Sequence, residues 1–495
     1  MLRFLCFQPQ DTKPLTELHG AHLLGNDSVP VRGNVSMKKG EILCQPRTPD
    51  PVALALLWPV NGYGTIQLET TRLPERKQPY ILNLELARHR LMRITLKREE
   101  WGLFDYHGMS EIGTQIEHAR ELFVKALQAA SDPPAAARYA DQSLKLALWA
   151  ADEMCRFHAT VFLERRQQSG GFGRQYLGVA VQPCCPADIP TDGLQQTFDF
   201  VRIPFVWRDI QPEEHEISYD AVDRWTQACA QAKLNLRAGP LLNFGVQSVP
   251  DWMYIWDNDF DTILDYAREH IERTVKRYAN EVNTWIAASG LHADNVFAFN
   301  FEQIMEITRV ATATIRHLAP RSQIVLDLVQ PWGEYFARNQ RTVPPLLYAD
   351  MAIQSGIGFD AFGVQFIFGI GSEGYHLRDP LQISALIDRL ANFGRPLHIT
   401  AVAVPSAGSA KEDPIKTGGQ WRGPWTDQSQ ADWLLNFCEI ALSKPYVESV
   451  CLQNLTDCAG NPIPTGGILH EDLTPKPAFA RLVELRQRLS AAPAE

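Results

Sequence analysis

The sequence predicts an α/β protein: a (β/α)₈ barrel preceded by a small β-sandwich-like module and a helical hairpin. Three observations lead to this prediction. From about residue 171 onward, short apolar segments alternate with amphipathic ones, which is typical of repeated βα units around a parallel sheet. The first hundred residues instead carry short strand-like runs separated by glycine and proline. Between these parts lie two stretches with apolar residues at helical spacing.

The N-terminal module is predicted over residues 1–107. Its strand-like runs are residues 29–31, 35–37, 53–57, 66–71 and 80–86. Many short strands without a helical period favour a small sandwich or a jelly roll. Modules of this kind bind sugars in some proteins and serve only for packing in others, and both possibilities stay open here.

A helical hairpin is predicted over residues 108–168. Apolar residues recur at spacings of four and three between Ile112 and Ala126, and again between Leu144 and Phe162. The prolines at 133 and 134 suit the start of the second helix. His158 lies on the apolar seam of that helix, so we expect it to be a packed core residue.

The barrel is predicted over residues 171–490. Its eight strands are expected at residues 176–181, 200–205, 234–242, 282–287, 323–329, 361–366, 396–402 and 447–452, with helices between them. A doubly wound open sheet is the alternative, but that fold usually has a glycine-rich phosphate turn after an early strand. No such turn occurs in this sequence, which favours the barrel.

Composition and charge narrow the classes of partner. The net charge of -10 disfavours nucleic acid, because phosphate binding needs a cationic face. No apolar run is long enough to cross a membrane. The nine cysteines are scattered and lack metal-ligand spacing, and Cys184 and Cys185 fit an ordinary loop. We therefore expect a cytoplasmic protein without metal or cofactor, whose ligand is a neutral or weakly charged molecule such as a carbohydrate.

Several short motifs follow one another along the predicted barrel. They are residues 176–181 in the first strand, Trp207 to Pro212 after the second, Pro250-Asp251-Trp252 after the third, Trp285 in the fourth, Gly363 and Gln365 in the sixth, His398-Ile399-Thr400 in the seventh, and Pro475-Lys476-Pro477-Ala478 near the end. In this order and spacing they resemble family 10 glycoside hydrolases, the xylanase family. The resemblance extends from about residue 172 to 485 and implies a site at the C-terminal ends of the barrel strands.

The chain departs from this family at both catalytic positions. A retaining glycosidase needs two carboxyl groups about 5 Å apart, one as acid/base and one as nucleophile. The resemblance places the acid/base at Gly290, directly after Ser289, and the nucleophile at Ala401. Both family carboxylates are therefore missing.

Four other carboxylates follow predicted strands and are candidates to replace the missing pair: Asp209, Asp327, Glu334 and Asp457. For each of them, a loop salt bridge or a helix cap is the favoured interpretation.

The predicted barrel mouth also carries aromatic and amide side chains. Aromatic rings can stack on pyranose rings, and amides can bond hydroxyl groups. The candidate substrate-binding residues are Trp207, Asn243, Ser289, His292, Gln330, Trp332, Gln365 and Gln453. For His292, a polar site residue and a helix-capping residue are equally favoured. An insertion over residues 405–424 fits either a lid or an ordered surface loop.

Two functional hypotheses follow. The first is a non-catalytic protein that binds a glycan or a protein partner at the barrel mouth. The alternative is an active glycosidase that acts on an oligosaccharide with relocated carboxylates. Under both hypotheses we expect Ser289 and Ala401 to lie at strand ends on one side of the barrel, beside an open pocket.

Overall fold

A computed structural model describes residues 1–8, 17–38, 40–173, 175–182, 193–339 and 341–490 of the 495-residue chain. Cys184 and Cys185 lie outside the described residues. The seven described cysteines are free thiols.

Eight short strands form the N-terminal β-module. They are β1 (Leu2–Leu5), β2 (His22–Leu24), β3 (Pro30–Val31), β4 (Gly33–Lys38), β5 (Glu41–Pro46), β6 (Ala53–Val60), β7 (Gly64–Glu69) and β8 (Tyr80–Ile81). They build two sheets, one with the order β4-β5-β1-β8 and one that contains β7-β6-β2-β3. Every residue of β6 is buried, because β6 lies between β7 and β2 at the centre of its sheet.

Three helices follow the strands: α1 (Leu82–Glu100), α2 (Ser110–Gln128) and α3 (Pro133–Gln168). The two predicted helices are present as α2 and α3. Asp132 caps α3 by accepting a hydrogen bond from the Ala135 amide at 3.3 Å, and Pro133 lies at its first position. His158 stacks between Trp101 and Phe162, with ring centroids 4.2 and 4.3 Å away, which confirms that it is a packed core residue.

Helix α1 corrects the prediction of a strand over residues 80–86. Only Tyr80 and Ile81 form a strand, and the helix begins at Leu82. All residues from Leu82 to Ala87 are buried, and the polar residues Asn83 and Glu85 alternate with the leucines instead of recurring at helical spacing. The leucines at 82, 84 and 86 therefore have the period of two that is typical of a strand, and this pattern led to the wrong prediction.

The C-terminal part is a closed barrel of eight parallel strands, which confirms the predicted fold class. The strands are β9 (Leu177–Ala180), β10 (Phe200–Ile203), β11 (Asn235–Ala238), β12 (Val282–Ser289), β13 (Gln323–Leu328), β14 (Ala361–Ile367), β15 (Leu397–Ala403) and, after the short strand β16 (Gln420–Trp421), β17 (Val447–Leu452). Strand β17 pairs with β9 and closes the ring. Ser289 ends β12 and Ala401 lies near the end of β15, so both are at the C-terminal side of the barrel as expected.

Nine helices are described after β9. They are α4 (Leu194–Thr197), α5 (Trp207–Ile210), α6 (Asp220–Gln231), α7 (Phe260–Tyr278), α8 (Phe301–Leu318), α9 (Pro345–Gln354), α10 (Pro380–Ala391), α11 (Asp427–Leu442) and α12 (Pro477–Ser490). In the part of the chain that the structure describes, each helix is too short or too polar to span a membrane.

The 405–424 insertion joins the barrel to the β-module. Its strand β16 pairs antiparallel with β7, with Gln420 opposite Thr65 and Trp421 opposite Gly64. At Gly64, φ is 136° and a Cβ atom would lie 2.2 Å from the Gln420 carbonyl oxygen, so only glycine allows this approach. The insertion is thus an ordered part of a sheet over residues 420–421, and the β-module packs against the loops of the barrel mouth.

Candidate functional site at the barrel mouth

Asp327 lies at the centre of a buried polar network inside the barrel. Its side chain is 2% exposed. One carboxylate oxygen accepts hydrogen bonds from Ser289 Oγ at 2.7 Å and Gln365 Nε2 at 2.5 Å, and the other accepts one from Thr400 Oγ1. Three neutral donors therefore satisfy this carboxylate, and a buried charge without such donors would be strongly unfavourable.

The tight fit of this network also explains Gly363 on β14. A Cβ atom there would lie 2.5 Å from Oδ1 of Asp327. The sequence suggested Ser289, Asp327 and Gln365 as mouth residues, and the structure brings all three together. They contact one another in the barrel interior.

The two positions that the family resemblance suggested for the catalytic pair, Gly290 and Ala401, are unfavourable places for a carboxylate. Gly290 has φ 72°, a conformation that disfavours side chains, and a Cβ atom there would lie 3.3 Å from the Val329 side chain. Ala401 is fully buried in a cluster of aliphatic residues. We call this cluster the apolar plug; it consists of Ile367, Ala401, Ala403 and Ile463.

Ile463 comes from the loop after β17 and was not foreseen as a site residue. Its side chain is 4% exposed and packs in one cluster with Ala401 and Ala403. The prolines on both sides, Pro462 and Pro464, were the available signal, because they restrict the backbone of this loop.

Glu334 forms a buried ion pair. It accepts hydrogen bonds from the Arg378 guanidinium and from the Gly374 amide at 2.9 Å. Burial alone would raise the pKa of Glu334, but the charge of Arg378 holds it well below the ordinary value of 4.5. Arg378 also pairs with Glu69 of the β-module at 3.0 Å. Glu334 therefore helps to join barrel and β-module.

Asp457 is also held by a cation. Its Oδ1 atom accepts hydrogen bonds from Lys476 Nζ and from the Gly467 amide, both at 2.8 Å. Lys476 is buried and donates a further bond to Ser406 Oγ at 2.8 Å. This contact fastens the loops after β15 and β17 to each other. Asp209, the fourth candidate carboxylate, is exposed on the short helix α5.

Trp207 lies in the core, although the sequence suggested a place at the mouth. Its side chain is 2% exposed and its ring stacks on His270 at 4.7 Å. The indole nitrogen donates a hydrogen bond to Gln211 at 3.1 Å. An indole satisfied in this way offers no free face to a sugar.

His292 is fully buried, two residues after Gly290. Its Nε2 atom accepts a hydrogen bond from the Val329 amide at 3.3 Å, so the proton lies on Nδ1, which donates to the Tyr335 hydroxyl at 2.6 Å. Tyr335 in turn donates to the carbonyl oxygen of Val343 at 2.8 Å. Burial lowers the pKa of His292 to about 3, so the imidazole is neutral at pH 7.

Asn243 and Gln453 make local contacts. The side-chain oxygen of Asn243 accepts a bond from the Gly245 amide at 2.8 Å, which shapes a turn after β11. The side-chain oxygen of Gln453 accepts a bond from Arg202 at 2.7 Å inside the barrel.

Gln330 and Trp332 follow β13 and are half-buried. Gln330 has φ 44°, a turn conformation. The Trp332 ring lies under the Arg378 guanidinium, 4.8 Å from its carbon, and packs edge-on against Phe366 at 5.9 Å. Trp332 lines a cavity at the side of the barrel.

An open cavity of about 380 Å³ lies over the ends of β14, β15 and β17, and we call it the mouth cleft. Its walls come from residues 369–371, from the insertion between Pro405 and Trp425, and from residues 462–465. Ile463 contributes to both the mouth cleft and the apolar plug. None of the predicted site residues lines the mouth cleft in the described part of the chain.

The walls of the mouth cleft carry both apolar and polar side chains. Ile370, Pro405 and Trp425 supply apolar surface, whereas Ser409 and Thr417 supply hydroxyl groups. The charged wall residues are Glu412 and Lys416. Within the described ranges, no group of three His, Cys, Asp or Glu side chains lies close enough to hold a metal ion.

Comparison with known proteins gives no matching family model and no matching curated protein. Solved structures do match. The barrel is similar to those of xylanases. The matches include a family 10 glycoside hydrolase from Paenibacillus barcinonensis (19% identity, 63% of this chain and 95% of that chain, TM-score 0.49), xylanase B from Clostridium stercorarium F9 (16%, 64% and 98%, 0.49) and xylanase 10B from Thermotoga petrophila RKU-1 in complex with xylobiose (16%, 66% and 97%, 0.48).

Proposed function

We propose that this protein is a glycosidase-like barrel that binds a neutral oligosaccharide in the mouth cleft and does not cleave it. The observation that carries the proposal is the state of the two catalytic positions. One is a glycine with positive φ and the other lies in the apolar plug. An open cleft nevertheless persists at the same end of the barrel, where ligand sites of this fold are found.

The absence of cleavage follows from what hydrolysis requires. Glycosidases use two carboxyl groups, about 5 Å apart for retention and about 6.5–9.5 Å apart for inversion. Glu412 is the single carboxylate among the described residues that line the mouth cleft. With no second carboxylate in the described cleft wall, it supplies at most one of the two roles.

The side chains in the walls of the mouth cleft suit a neutral sugar. Serine and threonine hydroxyl groups can exchange hydrogen bonds with sugar hydroxyls, and the apolar wall suits the faces of pyranose rings. Glu412 and Lys416 carry opposite charges, so the wall favours neither anions nor cations. The order of barrel motifs that resembles the xylanase family supports the same ligand class.

The alternative of an active glycosidase with relocated carboxylates has less support. Asp327, Glu334 and Asp457 each have partners that hold them in place, and Asp209 lies outside the walls of the mouth cleft. A protein partner at the same mouth is the other form of the non-catalytic hypothesis.

We also propose a cytoplasmic location, where free thiols such as the seven described here stay reduced.

Calorimetric titration of the full chain with neutral xylo-, cello- and manno-oligosaccharides tests the proposal. The matched variants are Ala407→Trp, which would fill the mouth cleft, and Ala410→Trp, which lies in the same loop outside it. Both alanines are exposed, so neither change disturbs a core. We expect wild type and Ala410→Trp to bind one class in the micromolar to millimolar range, about -8 to -4 kcal/mol, and Ala407→Trp to lose binding. Failure of the wild type to bind any of them, or equal binding by Ala407→Trp, would contradict the proposal.

A further inference from the structure

A second cavity, of about 340 Å³, lies where the β-module, helix α1 and the barrel meet, and we call it the side cavity. Its walls come from residues 28–30, from Glu69 and α1, from residues 331–332 and 344–347, and from α10. The volume lies within the range of small-molecule sites, roughly 300–1,000 Å³. None of the described residues that line the mouth cleft lines this cavity.

One side of the cavity is apolar. Trp332, Leu346, Leu381 and Leu386 line it. Leu347, also in this wall, is 47% exposed and adds apolar surface at the opening of the cavity. This surface suits the flat or aliphatic body of a small organic molecule.

The opposite side carries three arginines and one glutamate. Two of these four groups, Arg90 and Glu69, already have ion-pair partners. Arg90 pairs with Asp379, with NH1 2.9 Å from Oδ1, and Glu69 pairs with Arg378 at 3.0 Å. Glu69 is the single carboxylate among the described wall residues. Glu69 also acts electrostatically on Arg93, but two arginines of the described wall remain without an ion pair.

Those arginines are Arg93 on α1 and Arg389 on α10. Across the described ranges, neither has a carboxylate within ion-pair distance. Arg389 donates a hydrogen bond to the backbone carbonyl of Asp27, and the Asp27 carboxylate also acts on it electrostatically. Arg93 has no hydrogen bond within the described part of the molecule. His89, also in the wall, has its pKa lowered to about 4 by burial and is neutral at pH 7.

Two arginines without carboxylate partners beside an apolar wall define a ligand class. Guanidinium groups bind carboxylate and phosphate oxygens with paired, charge-assisted hydrogen bonds. We propose that the side cavity binds a small organic anion, with its oxyanion head on Arg93 and Arg389 and its apolar body against Trp332 and the leucines of α10. Both carboxylates and phosphate monoesters meet this description.

The ligand would also connect parts of the molecule. Arg93 belongs to the N-terminal helices, whereas Arg389 and Trp332 belong to the barrel. An anion held between them would raise the thermal stability of the folded protein, because it binds only when these parts are docked.

Four probes separate the contributions of the head and the body: 3-phenylpropionate, phenyl phosphate, the neutral alcohol 3-phenyl-1-propanol, and inorganic phosphate. Titration calorimetry and thermal unfolding of the full chain are the readouts. We expect at least one of the phenyl anions to bind and to raise Tm, and the alcohol and inorganic phosphate to bind about tenfold more weakly or not at all. The stronger of the two phenyl anions identifies the head group.

Arg93→Met and Arg389→Met locate the site, with Arg98→Met as the matched control. Arg98 is on α1 but does not line the cavity. Each cavity variant should weaken binding by about tenfold or more, as expected when a charge-assisted hydrogen bond is removed, while the control binds like wild type. Tm without ligand reports whether each variant folds. The inference is overturned if neither phenyl anion binds, if the alcohol binds equally well, or if folded cavity variants bind like wild type.

Discussion

Replacement of Asp327 distinguishes a structural carboxylate from a catalytic one. In Asp327→Asn, the oxygen that accepts from Thr400 can be kept, but the other position becomes an NH₂ group. That group then faces Ser289 and Gln365, which both donate to this position in the wild type. The serine hydroxyl can rotate to accept, whereas the Gln365 amide must turn or lose its partner.

The size of the effect follows from the number of bonds. A hydrogen bond to a charged group contributes about 1.5–3 kcal/mol, and a buried donor without a partner costs about 1–3 kcal/mol. We expect Asp327→Asn to lower the free energy of unfolding by about 2–4 kcal/mol, and Asp327→Ala by about 4 kcal/mol or more, because all three donors lose the carboxylate and only Gln365 keeps another acceptor, Ser289 Oγ at 3.2 Å. Against a typical total of about 5–15 kcal/mol these are large losses.

Chemical denaturation at pH 7, followed by circular dichroism, measures this effect. Asp209→Asn is the control, since this carboxylate is exposed and its replacement should change the free energy by less than about 0.5 kcal/mol. If Asp327→Asn were as stable as the control, the network would not hold the barrel as we describe. A glycosidase activity abolished by Asp327→Asn at unchanged stability would make Asp327 catalytic.

Three further predictions concern the apolar plug, the ion pair between Glu334 and Arg378, and the positions Gly290 and Ala401. Ile463→Ala should cost about 2–5 kcal/mol of unfolding free energy, measured by denaturation, because it empties part of the plug; a loss below about 0.5 kcal/mol would contradict this packing. The lowered pKa of Glu334 stabilises the protein above its ordinary value of 4.5, and that stability is lost as pH falls below it. Arg378→Met removes the largest influence that lowers the pKa of Glu334, while His376, His22 and the Gly374 amide remain, so the pKa should rise and acidification below pH 4.5 should cost less stability than in wild type; an unchanged pH dependence of unfolding would contradict this. The double variant Gly290→Glu/Ala401→Glu should give no hydrolysis of aryl xylosides and a lower Tm, because both positions reject a carboxylate; restored turnover would refute this.

The barrel could be predicted because its strands are short, buried apolar runs separated by amphipathic stretches. β17 was predicted with its observed bounds, and β10 differs from its prediction only at its end. The start of helix α1 could not be predicted, because the leucines at 82, 84 and 86 alternate with polar residues as they would in a strand. The sequence also could not predict the pairing of β16 with β7, since it joins residues more than 300 positions apart.

The site was predicted less well than the fold. Strand ends could be located, and so Ser289, Asp327 and Gln365 could all be assigned to the same end of the barrel. The sequence does not show whether such groups face a ligand or each other, and here they face each other. A tryptophan such as Trp207 has the same appearance in a sequence whether it stacks on a sugar or, as observed, on His270. Ile463 was missed because a loop isoleucine carries no signal of which cavity it fills.

Hydrolysis of xylo-oligosaccharides and aryl xylosides by the purified full chain is the most direct test of a barrel mouth that binds without cleaving. A mouth with no acid/base carboxylate lacks the proton donor, which contributes about 10²- to 10⁴-fold, and a mouth with no carboxylate nucleophile lacks the covalent route. The account predicts that the products stay at the level of the uncatalysed reaction, with or without the Ala407→Trp change in the mouth cleft. Turnover at ordinary enzyme rates, about 1 to 10³ per second, that is lost in Ala407→Trp would contradict it.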